Sequence, residues 1–214
     1  MSAHAARDDL LRQAYTRARR HLGRRDPVMK RVMRLVGPCT LRPDGDGFRS
    51  LVRAIVAQLI STAAARTVFG RLEEQLGAVT PAAVLAAGPQ RLRSVGLSAT
   101  KARALGDLAS RVESGLLPLD RMDEMDSDEI LACLLPVHGI GRWTAEMFLI
   151  FSLGRFDVLP VDDFGLRAGV RDHYGLAELP DRARLRVLAE AWRPYRTVAT
   201  WYLWRSRGFV PQSR

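Results

Sequence analysis

The stretch Leu134-Leu135-Pro136-Val137-His138-Gly139-Ile140-Gly141-Arg142-Trp143-Thr144-Ala145 admits few folds. An apolar run ends at Pro136, two glycines flank a single isoleucine, and a second apolar-rich run begins at Trp143. The pattern predicts a helix, a tight turn and a second helix. Glycine reaches backbone conformations closed to other residues and lets another backbone come close. Ile140 would anchor the turn in a core. Gly141 would stand before a helix start, where N–H groups and the helix dipole suit a phosphate. The spacing alone leaves an ordinary helix–turn–helix corner open as the alternative.

The rest of the chain is punctuated in the same way. Thr80-Pro81 reads as an N-cap with proline in the first helical turn, and Gly88 closes that helix. Ser98 opens the next and Gly115 ends it. Asp126 with Glu129 three residues on forms a capping box before Ile130-Leu131-Ala132-Cys133. A helix is expected from about Phe164 to Tyr174, another from Pro180-Asp181 to about Trp192, and a last one from Pro194, closed by Gly208. Strand signals are scarce, so the expected class is all-α, with about ten helices. Residues 50–66, SLVRAIVAQLISTAAAR, look apolar nearly all round, which predicts one central buried helix with Gln58 as a polar member needing a partner.

Charge narrows the class of partner. The formal net charge is +10 and the isoelectric point about 10.8, which favours an anionic partner, nucleic acid before an acidic membrane surface. Nearly all the cations are arginine, with Lys30 and Lys101 the only lysines. Cys39 and Cys133 are too few for a four-thiolate zinc or iron–sulfur site and read as buried free thiols. No apolar run approaches the roughly 20 residues a membrane span needs. The N-terminal 25 residues mix acids with arginines and lack a secretory h-region. The expected location is therefore inside the cell, cytoplasmic in a bacterium or nuclear in a eukaryote.

The hairpin string and the downstream Leu159-Pro160-Val161-Asp162-Asp163-Phe164-Gly165-Leu166-Arg167 resemble the helix-hairpin-helix-Gly/Pro-Asp superfamily of DNA glycosylases. Within it, the chain is similar to the 3-methyladenine DNA glycosylase II branch, in a short form without an extra N-terminal domain. Three more stretches carry the likeness: Ala54-Ile55-Val56-Ala57-Gln58-Leu59-Ile60-Ser61, Val95-Gly96-Leu97-Ser98 leading to Lys101-Ala102, and Trp192-Arg193-Pro194-Tyr195-Arg196 running to Trp201-Tyr202-Leu203-Trp204. The resemblance implies a two-lobed helical bundle with a central hairpin at about residues 126–153 and an active-site cleft between the lobes. This domain would occupy residues 26–214, behind an arginine-rich helical extension, residues 1–25, that is loosely docked.

By that resemblance Asp163 is the essential carboxylate. Breaking a C–N glycosidic bond builds positive charge on the sugar, and a carboxylate near the anomeric carbon both stabilises it and orients water. A helix N-terminus after Pro160 would favour a negative charge there. The residue types alone leave a plain N-cap open for either acid, and Asp162 is taken as the cap. Relatives that also cut the backbone carry a hairpin lysine for a Schiff base. Trp143 stands there instead, so hydrolysis without strand cleavage is implied.

The remaining roles follow by position. Leu59 would be the wedge that fills the gap left by a flipped nucleotide, with core packing as its alternative. Trp143 and Trp204 would face a cationic alkylated base, and Met147 stands where some relatives carry an aromatic. Val137, His138, Gly139, Ile140, Gly141, Arg142 and Thr144 would form the phosphate-binding hairpin. The main-chain carbonyls of Leu135, Val137 and Ile140 would hold a monovalent Na+ or K+. No cofactor is otherwise required and no iron–sulfur cluster is expected. His138 and His173 read as surface histidines.

The implied partner is double-stranded DNA containing damaged bases, bound by a monomer, with no membrane role. The implied substrates are alkylated purines of the 3-methyladenine and 7-methylguanine type. The alternatives are a glycosylase for hypoxanthine or ethenoadenine, or a non-catalytic DNA-binding module that uses the hairpin alone.

Overall fold

The computed structural model describes residues 3–208, the side chains of residues 3–7 and of Thr62 excepted; the outermost residues of the expected extension and domain lie outside it. The described residues form eleven α-helices, two short 3-10 turns and no strand. None of the helices is long and apolar enough to cross a membrane. The chain divides into two compact units, one made of Met1–Arg42 with Gly154–Arg214, the other of Pro43–Leu153.

The first unit holds α1 (Ala3–Arg25), α2 (Pro27–Val36), α9 (Phe164–Tyr174), α10 (Arg182–Ala189) and α11 (Arg196–Ser206). Far from being loosely docked, α1 buries Tyr15, Ala18 and Leu22 on one face and packs against α2. The two helices meet at Asp26, the N-cap of α2. Its Oδ1 accepts the amides of Val28 at 2.8 Å and Met29 at 3.0 Å. Its Oδ2 accepts the Trp192 indole N–H at 2.9 Å and the Tyr174 hydroxyl. A buried carboxylate is costly unless hydrogen-bonded, and these four donors satisfy it without a cation.

Helices α9 and α11 approach closely because α9 carries Gly165 and Gly169. A Cβ on Gly169 would lie 3.0 Å from the Leu203 Cβ and 3.1 Å from the Leu203 carbonyl oxygen. The helix expected to run to about Trp192 ends at Ala189 and gives way to a 3-10 turn over Glu190–Trp192, and α11 starts at Arg196 and not at Pro194.

The second unit holds α3 (Gly47–Ala57), α4 (Thr62–Leu76), α5 (Pro81–Ser94), α6 (Ala99–Glu113), α7 (Ser127–Leu134) and α8 (Arg142–Phe151). Its caps are those the residues announce: Thr80, Ser98, and the Asp126–Glu129 capping box. Gly88 ends the first part of α5 at φ 66°, and Pro89 begins the second.

The expected single helix over residues 50–66 does not form. Leu51, Val52, Ile55 and Val56 are buried on α3, but the helix stops at Ala57 and Ser61 caps a new one through the Ala64 amide at 3.2 Å. The residues between them form an exposed turn.

Candidate active site

Asp163 is the N-cap of α9, and its Oδ1 accepts the Leu166 amide at 2.6 Å. The same oxygen accepts the Trp204 indole N–H from α11 at 2.7 Å. Asp163 is 5% exposed and Trp204 is fully buried. Two N–H donors converging on one oxygen fix the plane of the carboxylate. Gly165 makes room for the pair: a Cβ there would sit 3.1 Å from Asp163 Oδ1 and 3.1 Å from Trp204 Cδ1.

Of the alternatives set for Asp163 from sequence, the cap is present, and the Trp204 bond gives the same carboxylate a second hold. Asp162, expected to be the cap, instead pairs with Arg182. Trp204 also differs from its expected use. Its indole has no exposed face, and its N–H is aimed at the carboxylate.

The hairpin folds as expected between α7 and α8. Gly139 adopts φ 81°, and a Cβ on it would lie 3.0 Å from the Ala104 Cβ. Gly141 has φ −86°, a conformation open to any residue, so only one of the two glycines is needed for its backbone freedom. Ile140 and Val137 are buried beneath the turn. No side chain caps α8, and the N–H groups of its first turn point out of the helix start, an arrangement suited to a phosphate.

Three hairpin amides are already engaged: Val137 with the Leu134 carbonyl, Ile140 with the Val137 carbonyl, and His138 with Asp107 Oδ2 at 2.7 Å. Burial pushes the Asp107 carboxyl up, but the His138 amide and Arg111 outweigh it and hold it below the ordinary carboxylate range. His138 is therefore an anchor for the turn, and the amides available to a phosphate narrow to those of Gly139, Gly141 and the α8 start. The Arg142 guanidinium pairs with the buried Glu146 at 3.0 Å, and Thr144 is itself buried. Of the three carbonyls expected at a cation, that of Val137 accepts the Ile140 amide at 3.0 Å and keeps its second lone pair.

Leu59 lies in the turn between α3 and α4 with φ 58° and a fully exposed side chain. A leucine in the left-handed region costs about 1–3 kcal/mol and persists only when its surroundings hold it there. Gln58 supplies part of that hold, its Nε2 donating to the Gly139 carbonyl of the hairpin at 2.9 Å. Lys101, at the start of α6, supplies another by donating to the Val56 carbonyl at 2.8 Å.

A model of the HhH-GPD superfamily, base excision DNA repair proteins, matches residues 52–194. The chain belongs to that superfamily. It is 31% identical over 198 residues to an alkylbase DNA glycosidase-like protein of Schizosaccharomyces pombe, covering 89% of this chain and 93% of the relative.

Solved structures share the fold, among them two at 33% and 35% identity. The 3-methyladenine DNA glycosylase of the same yeast, in complex with abasic DNA, superposes with a TM-score of 0.78 at 33% identity, over 92% of this chain and all of that one. A DNA-3-methyladenine glycosidase from Bacillus halodurans gives a TM-score of 0.81 at 35% identity, over 87% of each.

Among the pocket residues expected of an HhH-GPD protein, Trp143 alone presents surface, being 40% exposed on α8. Met147, one turn further on, is fully buried. Sequence reasoning passed over Phe164, the first residue of α9, which is 66% exposed directly beside Asp163. An aromatic side chain next to the candidate acid was the available signal. It also passed over Gly165, whose role shows only once α11 is in place. A pocket of about 380 Å³ on α1, lined by Arg17, Arg20, His21, Arg24 and Arg25, contains none of the expected site residues.

Proposed function

We propose that this HhH-GPD protein is a monofunctional DNA glycosylase that hydrolyses the N-glycosidic bond of alkylated purines in duplex DNA, acting as a monomer. The observation that carries the reading is the Asp163 carboxylate, oriented by Trp204 and Leu166 within a family of base excision repair proteins.

In the reaction the C1′–N bond breaks and its electron pair leaves with the base. A base carrying formal positive charge departs neutral, which is why 3-methyladenine and 7-methylguanine suit a site with few other catalytic groups. Asp163 stabilises the oxocarbenium-like sugar and takes a proton from the water that forms the new C1′–O bond. The products are free base and an abasic site.

The half-exposed indole of Trp143 offers an electron-rich face to a cationic base. Leu59 fills the gap in the stack once the nucleotide is extruded. The hairpin binds a phosphate through main-chain N–H groups, and the carbonyls of Leu135, Val137 and Ile140 would hold a monovalent cation that adds positive charge there. No lysine lies in the hairpin, and the Lys101 ammonium is bonded to a helix carbonyl, so no Schiff base and no strand cleavage are expected.

The test is a panel of duplexes, each with a single 3-methyladenine, 7-methylguanine, hypoxanthine or ethenoadenine. The reading expects release of the two cationic bases and intact strands until alkali is added. Preference for the neutral lesions would overturn the substrate class. DNA binding with no base released would leave only a binding module.

A further inference from the structure

Leu59 holds a left-handed backbone and a fully exposed apolar side chain, both unfavourable in the isolated protein. No glycine, proline or asparagine lies in the Gln58–Leu59–Ile60 turn to make that geometry easy. Something in the surrounding structure must fix it, and two side-chain hydrogen bonds to distant parts of the chain are placed to do so, one from Lys101 of α6 and one from Gln58 of the turn itself.

Val56 belongs to the last turn of α3, where carbonyls lack helical donors and the dipole is negative. The Lys101 ammonium satisfies one of those carbonyls at 2.8 Å, a charge-assisted bond three residues before Leu59. Lys101 is in turn placed by the N-cap of α6, where Ser98 Oγ accepts the Lys101 amide at 3.2 Å. On the other side, Gln58 donates to the carbonyl of Gly139, the glycine whose positive φ makes the hairpin turn. The residue immediately before Leu59 is therefore tied to the phosphate-binding hairpin, and the helix end before it is tied to α6.

We propose that Lys101 and Gln58 are positioning residues that hold the Leu59 turn in register with the Gly139 hairpin, so that grip on the backbone and insertion into the stack occur as one event. This rests on Leu59 being the wedge. Neither residue touches the reacting atoms. Their work is to present Leu59 already strained and extended, so that the DNA does not have to order the turn when it binds.

The experiment compares Leu59→Ala, Lys101→Met, Lys101→Arg, Gln58→Ala and the double variant Leu59→Ala/Lys101→Met, on a lesion duplex carrying 2-aminopurine beside the damaged base. Fluorescence reports extrusion, and single-turnover release reports excision. Lys101→Met and Gln58→Ala should each lower excision about tenfold, with a matching loss of the fluorescence rise and a melting temperature within a few degrees of wild type.

Lys101→Arg should restore most of both signals. The double variant should be no slower than Leu59→Ala alone, since residues that act through one another are not additive. Multiplying effects in the double variant, or slower excision with normal extrusion, would overturn the positioning role. If Leu59→Ala itself leaves extrusion and excision unchanged, the wedge reading falls. If Leu59→Ala impairs both while Lys101→Met and Gln58→Ala do not, the positioning role falls alone.

Discussion

Trp204 donates its indole N–H to Oδ1 of Asp163 at 2.7 Å, across 41 residues of sequence. The same oxygen caps α9 through Leu166, so the helix cap and the indole bond share one atom. Replacing Trp204 by Phe keeps an aromatic ring and removes the donor. A hydrogen bond to a charged group contributes about 1.5–3 kcal/mol. Excision by Trp204→Phe is expected to fall at least about tenfold, chiefly in kcat, measured by single-turnover release together with thermal melting. An unchanged kcat would show that Leu166 alone orients the carboxylate.

Gly165 and Gly169 lie one turn apart on α9 but should fail differently. At Gly165 an added methyl meets the Asp163 carboxylate and the Trp204 ring. At Gly169 it meets the backbone of Leu203, which cannot swing aside. Gly165→Ala is expected to lose activity with a small change in melting temperature. Gly169→Ala is expected to lose about 1–3 kcal/mol of stability through overpacking while keeping activity at low temperature. Melting curves and excision rates on both variants check the contrast.

Gly139 combines φ 81° with a prospective Cβ 3.0 Å from Ala104. Alanine there is both strained and crowded, at a cost of about 1–2 kcal/mol from the left-handed backbone alone. Gly139→Ala should weaken binding to undamaged duplex, read by fluorescence anisotropy. Gly141→Ala has an ordinary φ and open space around its Cβ position, so it should fold normally. Any loss it shows would come from blocking close approach of a phosphate.

Asp107 makes the hairpin sensitive to acid. Its carboxyl is held below the ordinary range in the folded protein, against the push of burial, by the His138 amide and Arg111. A folded value below the unfolded one means the stabilisation is fully present above the unfolded pKa and is lost as pH falls through the folded one. The melting-temperature gap between wild type and Asp107→Ala should be constant at neutral pH and close below about pH 4, the unfolded carboxylate value. A gap that persisted into strong acid would contradict the role of the charge.

Much of the fold was legible because local rules and tertiary packing agree. Asp126 and Glu129 cap α7 as their spacing announces, and α9 runs from Phe164 to Tyr174 between a capping aspartate and a left-handed Gly175. The break at Gln58–Leu59 was hidden because apolar periodicity continues through it. Ser61, with a good helix-forming alanine run behind it, was the readable sign of a new helix start. The Asp162–Asp163 assignment shows the other limit. Adjacent acids look alike in sequence, and only the position of the α9 axis sends one to Arg182 and the other to Trp204. Trp204 looked like a pocket wall because indole chemistry allows both a π-face and an N–H donor, and its burial selects the second.

Asp163→Asn tests the central claim most directly, because the amide oxygen can still accept from Leu166 and Trp204 and only the charge is removed. Wild type and variant should bind an alkylated duplex with similar affinity. Single-turnover release of 3-methyladenine should fall at least about a hundredfold in the variant, the scale on which loss of a charge-stabilising group acts. Equal release by both proteins would contradict the assignment of Asp163 as the essential carboxylate.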